Sequence, residues 1–267
     1  MHKQVKELVN NYGEIDIMWF DFSYWQYKGE KWGATELVKM VRKAQPGIII
    51  DNRLGGDMEK ANPDYYAGDF DGPEQGIPRE PITNEEGKPL PWEVCMTLND
   101  NWGYTRNANY KSTQDVIRYM VNAVSKGGNL LVNVGPNAYG EIPETSTKIL
   151  KEVGKWMDKN GKAIYQAGMA DFDKPEWGRF TQKGNKLYAF LTQPNFGQIS
   201  MEGFKGKIEK ARLLMDGSEV LVTPFWNEET SDFDNPDDIF LNFNKPVART
   251  YPLPDPICTV IEITLKQ

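Results

Sequence analysis

Strand-like and helix-like segments alternate along residues 1–163, and this alternation restricts the fold more than any other feature of the sequence. The strand-like runs lie at 15–20, 48–50, 65–70, 92–97 and 129–134, and apolar residues with helical spacing lie at 3–11, 35–45, 112–124 and 143–161. This pattern predicts parallel βα units, whose strands are expected to be buried on both faces. The Pro- and Gly-rich residues 71–91 are predicted to form a long loop.

The pattern changes after residue 163. Apolar residues now alternate with period two, as at 187–191 and 261–265, and helical spacing is absent. A stretch of about 100 residues with short alternating strands predicts an antiparallel β-sandwich. We therefore predict two domains, with residues 1–163 built of βα units and residues 164–267 forming the sandwich.

Charge and hydropathy limit the partners. Asp and Glu number 38 against 31 Lys and Arg, which gives a formal net charge of −7. A diffuse negative charge disfavours nucleic acid and anionic membranes, because both attract clustered basic residues. No apolar run approaches the ~18 residues of a membrane span, and no signal peptide opens the sequence. We expect no membrane or nucleic acid partner and assign no compartment, although the sequence as given would remain cytoplasmic.

Histidine and cysteine are scarce, which argues against several kinds of site. The single histidine, His2, follows Met1, where we expect a frayed chain end. This makes a Ser-His-Asp triad or a zinc site with paired histidines improbable. Cys95 and Cys258 match no metal or redox spacing and are predicted to be buried thiols. No metal and no cofactor is predicted, whereas carboxylate and aromatic side chains are plentiful.

Several of these carboxylates and aromatic side chains follow the predicted strands. Functional groups in parallel α/β folds gather just beyond the carboxyl ends of the strands. The candidates in chain order are Trp19, Asp21, Arg53, Glu74, Glu93 and Trp102. Glycoside hydrolysis needs an ionised carboxylate, a protonated carboxylic acid and aromatic platforms for sugars. The spacing alone fits equally well with Asp21 as a cap, Arg53 as a structural ion-pair partner and the tryptophans as core residues.

The same region resembles a known family. The segment Tyr12-Gly-Glu-Ile-Asp-Ile-Met-Trp-Phe-Asp21 resembles the nucleophile strand of the family 29 α-L-fucosidases. Five further motifs follow in the family's order: QPG with DNR at 45–53, GDF with PEQ at 68–75, PWEVCMT at 91–97, NWGY at 101–104 and GGNLLVNVGP at 127–136. The resemblance is close over residues 5–165, and a sandwich after it suits the same family.

The resemblance implies roles for three carboxylates. Asp21 would be the catalytic nucleophile of a retaining α-L-fucosidase, and Glu74 the general acid/base. Glu93 is the second choice for the acid/base, because loop lengths in this region vary between relatives. Arg53 would favour the ionised form of Asp21. The two carboxyl groups of a retaining pair are expected about 5–5.5 Å apart.

The resemblance also implies a substrate pocket. Trp19 is similar to a tryptophan that lines the fucose pocket, Arg53 to an arginine that approaches the sugar, and Trp102 to an aromatic residue facing the fucose methyl group. The expected substrate is a fucosylated oligosaccharide or glycoconjugate. The motif departs from the family directly after Asp21, where residues 22–25 replace a common glycine, and this would reshape the pocket mouth.

Relatives carry several βα units before the nucleophile strand, which here begins at residue 15. The fold class implied is therefore α/β, an incomplete (β/α)8-like barrel with its first strands absent, followed by an antiparallel β-sandwich. Strand edges at 15–20 and 127–134 would lack neighbours, so we expect a second polypeptide or a second copy to cover them. The alternative function is a catalytically weak or inactive fragment that serves as a carbohydrate-binding or structural partner of a second chain.

Overall fold

A computed structural model describes residues 1–21, 25–193, 199–224, 235–243 and 253–266. Packing divides the chain into two compact units. The first contains Met1–Met96 and Gly127–Leu131, and the second contains Thr97–Lys126 and Val132–Gln267. The boundary at residues 163/164 was inferred from sequence pattern and remains a prediction about domains.

The first unit consists of short parallel strands and flanking helices. Its elements are α1 (His2–Asn11), β1 (Ile17–Met18), a 3₁₀ turn (Gly29–Trp32), α2 (Ala34–Ala44), β2 (Ile49–Ile50), β3 (Trp92–Thr97) and the first part of β4 (Gly128–Asn133). β1 pairs in parallel with β2, with Ile17 opposite Ile49. β3 and β4 are hydrogen-bonded neighbours. The alternation of strand and helix predicted from the sequence is confirmed here.

The third parallel segment lies later in the chain than predicted. Residues 65–67 form turn and bend instead of a strand, because Gly68 adopts a φ of +90° that breaks an extended run. The extended segment begins at Phe70, which pairs in parallel with Asp51, and Asp71 pairs in parallel with Trp92. The predicted loop at 71–91 is therefore wrong at its start, because its first residues run alongside β3.

The prediction of strands buried on both faces is confirmed for β3, but β1, β2 and β4 each have exposed positions, and for them the prediction is wrong. Phe20 and Ile50 are buried in a core with α1 and α2. On the other face, Ile17, Ile49 and Leu131 are 51%, 44% and 43% exposed. Within the described residues of this unit, the apolar run lacks a second covering layer.

The amino-terminal helix is better anchored than expected. α1 begins at His2, whose Nε2 atom lies 2.7 Å from the carbonyl oxygen of Trp32. Val5 and Val9 are buried against α2 in the same core. The expected fraying at His2 is wrong, because the imidazole and the apolar face of the helix both find partners.

The second unit is built on an antiparallel sheet. Its helices are α3 (Thr113–Val124) and α4 (Glu144–Asn160), followed by a 3₁₀ turn (Gly161–Ala163). Its strands are β5 (Gly178–Lys183), β6 (Lys186–Leu191), β7 (Ile199–Met201), β8 (Ile208–Leu213), β9 (Glu219–Thr223), β10 (Ile239–Asn242) and β11 (Thr259–Leu265). They form one seven-stranded sheet in the order β5-β6-β11-β8-β9-β10-β7. The predicted antiparallel pairing is confirmed.

The period-two pattern of β6 separates two cores. Leu187, Ala189 and Leu191 are buried in a core formed by the strands of the sheet. Tyr188 and Phe190 point the other way, into a second core that includes residues of α3 and α4. Both faces of this strand are therefore buried, because the helices cover one face of the sheet.

The two ends of the sheet approach each other. Trp177 lies just before β5, at one end of the strand order, and its indole nitrogen donates to the carbonyl oxygen of Ser200 in β7, at the other end, at 2.8 Å. Residues of β5, β7 and β10 share one core. The sheet is therefore strongly curled around its interior.

Local signals place the helices of the second unit. Ser112 and Asp115 form the predicted capping box before α3, with each side chain bonded to the other residue's backbone amide. Cys95 and Cys258 are free, buried thiols, as predicted. None of the helices among the described residues is both long and apolar enough to cross a membrane.

Candidate active site

Two carboxylate side chains of the first unit meet at the guanidinium group of Arg53. Its Nη1 atom lies 3.3 Å from Asp21 Oδ1 and 3.0 Å from Glu74 Oε2, so one nitrogen contacts both carboxylates. The Arg53 side chain is 18% exposed, whereas those of Asp21 and Glu74 are 39% and 44% exposed. The cation is held inside while both carboxylates remain open to an incoming molecule.

Parallel pairing explains why these residues converge. Asp21 follows β1 and Arg53 follows β2. In each case two residues lie between the end of the strand and the charged residue. Glu74 is placed by the extended segment beside β3, where it pairs in parallel with Cys95 and the Gln75 amide donates to the Cys95 carbonyl at 2.8 Å. The carboxyl ends of neighbouring parallel strands lie at one edge, and the structure brings Asp21, Arg53 and Glu74 together there.

Arg53 is fixed by further contacts. Its Nη2 atom donates to the Gly72 carbonyl at 2.9 Å and lies 3.5 Å from Cys95 Sγ. Its Cζ atom lies 4.5 Å from the ring centroid of Trp19, which is a cation–π distance. Burial lowers the pKa of Arg53, but the hydrogen bond and charge of Glu74 outweigh it, so the pKa lies above the ordinary value. The guanidinium remains charged and is held in one orientation.

Glu93 is separate from this cluster of charges. It is a half-buried residue of β3, and burial raises the pKa of its carboxyl while the nearby Trp19 indole N–H opposes part of that rise. The indole nitrogen is buried and makes no well-aligned hydrogen bond within the described residues. Glu93 forms no ion pair with Arg53, so the structure places the two candidate acids, Glu74 and Glu93, in different surroundings.

Trp102 belongs to the second unit and is described within it. It is 42% exposed, in a loop whose next residue, Gly103, packs against Gly135 so closely that a Cβ atom on Gly135 would lie 2.3 Å from the Gly103 carbonyl carbon. Its role at the sugar remains a prediction. The predicted change at the pocket mouth falls mainly on residues 22–24, which lie outside the described residues.

Sequence reasoning missed two residues around Arg53. Cys95 was expected only to be buried, yet its sulfur lies against the guanidinium. Asp51 was treated only as part of a motif, yet it is fully buried and its Oδ1 atom accepts a hydrogen bond from the Phe20 amide at 2.9 Å. A charged residue directly at the end of a buried strand was the available signal for Asp51.

The carboxylates of Asp21 and Glu74 already face a guanidinium cation. Among the residues that the structure describes, no group of three or more His, Cys, Asp or Glu side chains could hold a metal ion.

Comparison with known proteins gives consistent family matches. The sequence profile described as alpha-L-fucosidase matches residues 1–162. Among curated proteins, the alpha-L-fucosidase of Branchiostoma floridae is 30% identical over 209 residues, covering 74% of this chain and 44% of that protein. Human plasma alpha-L-fucosidase is 30% identical over 210 residues, covering 73% of this chain and 42% of that protein. The chain thus spans less than half the length of these relatives.

Solved structures agree. Alpha-L-fucosidase isoenzyme 1 from Paenibacillus thiaminolyticus matches with a TM-score of 0.94 and 53% identity, covering 100% of this chain and 62% of that one. A Bacteroides thetaiotaomicron enzyme of glycoside hydrolase family 29, solved as a trapped covalent intermediate with 2-fluoro-fucosyl fluoride, has a TM-score of 0.76 at 27% identity, covering 99% and 60%. Over the part that this chain covers, the fold is therefore that of glycoside hydrolases. The chain belongs to the α-L-fucosidase family, as its sequence motifs predicted.

Proposed function

We propose that this chain is the catalytic part of a retaining α-L-fucosidase that removes terminal α-L-fucose from oligosaccharides or glycoconjugates. In this proposal the first 163 residues form part of a (β/α)8-like barrel, and residues 164–267 form the β-sandwich. The observation that carries the proposal is the contact of Arg53 Nη1 with both Asp21 and Glu74. Two carboxylates that share one guanidinium nitrogen are close together, as a retaining pair requires.

The reaction would proceed by double displacement. A carboxylate oxygen of Asp21 attacks the anomeric carbon, and the bond to the leaving oxygen breaks as Glu74 gives that oxygen its proton. Glu74 then takes a proton from water, whose oxygen attacks the same carbon and releases Asp21. Two inversions return the α configuration. The Arg53 guanidinium favours the ionised form of Asp21 for the attack and of Glu74 once its proton has been given to the leaving oxygen, while Trp19 would line the sugar pocket.

Replacement of the nucleophile is the direct test. We expect Asp21→Asn to lower kcat on nitrophenyl α-L-fucoside by roughly 10³-fold or more, because the covalent route is removed. Incubation of the unaltered chain with 2-fluoro-fucosyl fluoride should add one fluorofucosyl mass to the peptide containing Asp21. The exposed-loop variant Asp57→Asn serves as the matched control and should keep full activity. Full activity of Asp21→Asn would refute the proposal.

The configuration of azide products identifies the acid/base. A variant lacking the acid/base still forms the fucosyl-enzyme from an activated fucoside, and azide then gives the α-fucosyl azide. We expect this product from Glu74→Ala, because the carboxylates of Glu74 and Asp21 both contact the Arg53 guanidinium group. The same product from Glu93→Ala, with hydrolysis intact in Glu74→Ala, would assign the role to Glu93 instead.

A second candidate function is supported by the exposed apolar face of the first unit. Ile17 and Ile49 line a cleft of about 270 Å³ together with Phe70, Pro91 and Trp92. The chain covers 62% of the Paenibacillus relative, so a polypeptide equivalent to the unmatched part of that relative is the proposed occupant, whether linked to this chain or separate. Without it, the chain would be a weakly active or inactive partner.

Reconstitution separates the two functions. The unmatched part of the Paenibacillus relative would be produced separately and mixed with this chain. We expect the two polypeptides to elute together and fucosidase activity to rise at least tenfold, because covered apolar area stabilises association. Full activity of this chain alone, with no rise on mixing, would support an autonomous enzyme and contradict the partner proposal.

A further inference from the structure

A buried carboxylate lies directly behind the Asp21–Arg53 pair. Asp51 has no exposed surface, and its Oδ1 atom accepts a hydrogen bond from the amide of Phe20, the residue before Asp21, at 2.9 Å. The backbone of Asp51 is itself part of the sheet, since its amide faces the Met18 carbonyl at 3.4 Å and it pairs in parallel with Phe70. Asp51 therefore joins the end of β1 to the end of β2.

The same residue is close to Arg53 along the chain and in charge. Arg53 follows Asp51 by two positions, and its amide and its charge both stabilise the ionised form of Asp51. On the opposite side, a Cβ atom on Gly68 would lie 2.5 Å from the Asp51 carbonyl oxygen. The Asp51 backbone is thus held between neighbouring segments, with little freedom to move.

Hydrogen bonds and nearby positive charge offset the burial of the Asp51 carboxyl group only in part. Burial raises its pKa to about 7, against the opposing effects of the Phe20 amide and of Arg53, and the charge of Asp21 adds to the rise. The other acids nearby along the sheet have their own partners: Asp69 pairs with Arg42 at 2.8 Å, and Asp71 bonds to Asn52. The Oδ2 atom of Asp51 has no hydrogen-bond partner among the described residues.

We propose that Asp51 is a positioning residue, which holds the Phe20 amide and thereby fixes the backbone that carries Asp21 in register with Arg53. This inference rests on the proposed role of Asp21 as nucleophile. Asp51 does not touch the substrate. Among the described residues, its side chain is the one carboxylate that accepts a hydrogen bond from the amide of Phe20, one residue before Asp21, and Arg53 belongs to the same short segment as Asp51.

The first test needs no turnover. The amide proton of Phe20 should shift with pH in the unaltered chain, with a midpoint near 7 set by Asp51, because a charged acceptor polarises an N–H group more than a neutral one. The backbone amide of Asp21 should show an inflection at the same midpoint. Both effects should vanish in Asp51→Asn, which keeps an oxygen acceptor but cannot titrate. A Phe20 amide that does not respond to pH, or that responds equally in Asp51→Asn, would overturn the proposal.

Asp69→Asn is the matched control. Asp69 directly precedes the third parallel segment and also accepts from a backbone amide, that of Ile50, at 2.8 Å, but it has no contact with Asp21. In this variant the Phe20 titration should keep its midpoint. Loss of the titration in Asp69→Asn would mean that the signal reports general loosening of the sheet, which contradicts a specific role for Asp51.

Kinetics provide the second test. Asp51→Leu removes the acceptor, and we expect kcat to fall roughly tenfold or more while KM changes less than about threefold, because sugar contacts remain while the nucleophile is misaligned. Asp51→Asn should recover most of this loss at low pH, where Asp51 of the unaltered chain is also uncharged. A folded Asp51→Leu variant with normal kcat would overturn the proposal. If Asp21→Asn retains activity, the proposed function fails, and the amide titration still decides whether Asp51 positions that backbone.

Discussion

Arg53 illustrates how one residue can organise a site. Its guanidinium is largely buried, and its five N–H groups allow it to face two carboxylates, the Gly72 carbonyl and the Cys95 sulfur together. A lysine at this position would present a single point charge and could not satisfy these directions at once. The partly exposed carboxylates then receive their orientation from a cation that solvent screens poorly.

The buried carboxyl of Asp51 has a measurable consequence for stability. Its pKa is raised from 3.8 to about 7 by burial, so between these values the folded protein holds a proton that the unfolded chain releases. Stability should therefore fall as pH rises from about 4 to 7, by as much as ~4 kcal/mol, and level off above pH 7. Asp51→Asn should remove this slope.

Urea unfolding at several pH values measures the effect. The difference in unfolding free energy between Asp51→Asn and the unaltered chain should shift in favour of the variant as pH rises. Glu93→Gln is the control, because the pKa of Glu93 is also raised by burial but this variant leaves the Asp51 contribution in place. Parallel pH curves for Asp51→Asn and the unaltered chain would contradict a raised pKa.

At the residue scale, the sequence predicted which side chains lie together at the carboxyl ends of the parallel strands. Asp21 and Arg53 each follow a short apolar run, so their convergence follows from strand direction alone. Asp51 and Cys95 were not assigned to the site, because their contribution depends on which neighbour their side chains meet. Those contacts are set by the packing of the sheet, and the only local signal was the position of Asp51 directly after a buried strand.

At the element scale, the turn before the third parallel segment depends on glycine. Gly68 has a φ of +90°, and a Cβ atom there would lie 2.5 Å from the Asp51 carbonyl oxygen. Gly13 has the same φ, but nothing lies within 4 Å of its Cβ position. A comparison of substitutions at Gly13 and Gly68 therefore separates the cost of backbone strain from the cost of steric contact.

This pair supports a prediction on stability. Gly13→Ala should cost about 1 kcal/mol of unfolding free energy, from backbone strain alone. Gly68→Ala should cost at least about 2 kcal/mol more, because the Asp51 backbone must also shift. Chemical denaturation of both variants measures the difference. Equal losses would mean that the sheet absorbs the extra methyl group without strain.

Helices were predicted more accurately than strands, and the reason is local chemistry. The Ser112–Asp115 box specifies the start of α3 within four residues. The extended segment at Phe70 was placed too early and continued too briefly, because its partner β3 lies about 20 residues further along and Gly72 and Pro73 resemble a loop. Pairing with a distant strand overrode the local preference.

At the scale of the whole molecule, the two units differ in how they treat apolar surface. The sheet of the second unit curls until its ends share one core, whereas the first unit leaves Ile17, Ile49 and Leu131 partly exposed. A surface of this kind is typical of an interface rather than of a solvated sheet face. The proposed occupant is the polypeptide equivalent to the unmatched part of the relatives.

A charged side chain on this exposed apolar face of the first unit should weaken binding of the proposed polypeptide. We expect Ile49→Lys to weaken binding of that polypeptide by at least tenfold, because the ammonium group would be desolvated without a partner. Val222→Lys is the matched control, since Val222 is a strand residue of the second unit with a similar exposure of 40%. Titration followed by light scattering measures both affinities. Equal affinities would place the interface elsewhere.

The strand order of the second unit also has a consequence for synthesis. β11 is the last strand among the described residues, yet it lies between β6 and β8 in the middle of the sheet. Until Thr259–Leu265 have left the ribosome, β6 and β8 each expose an unpaired edge flanked by apolar side chains. A nascent chain stalled before this strand would therefore be far more prone to aggregation than one from which the strand has emerged.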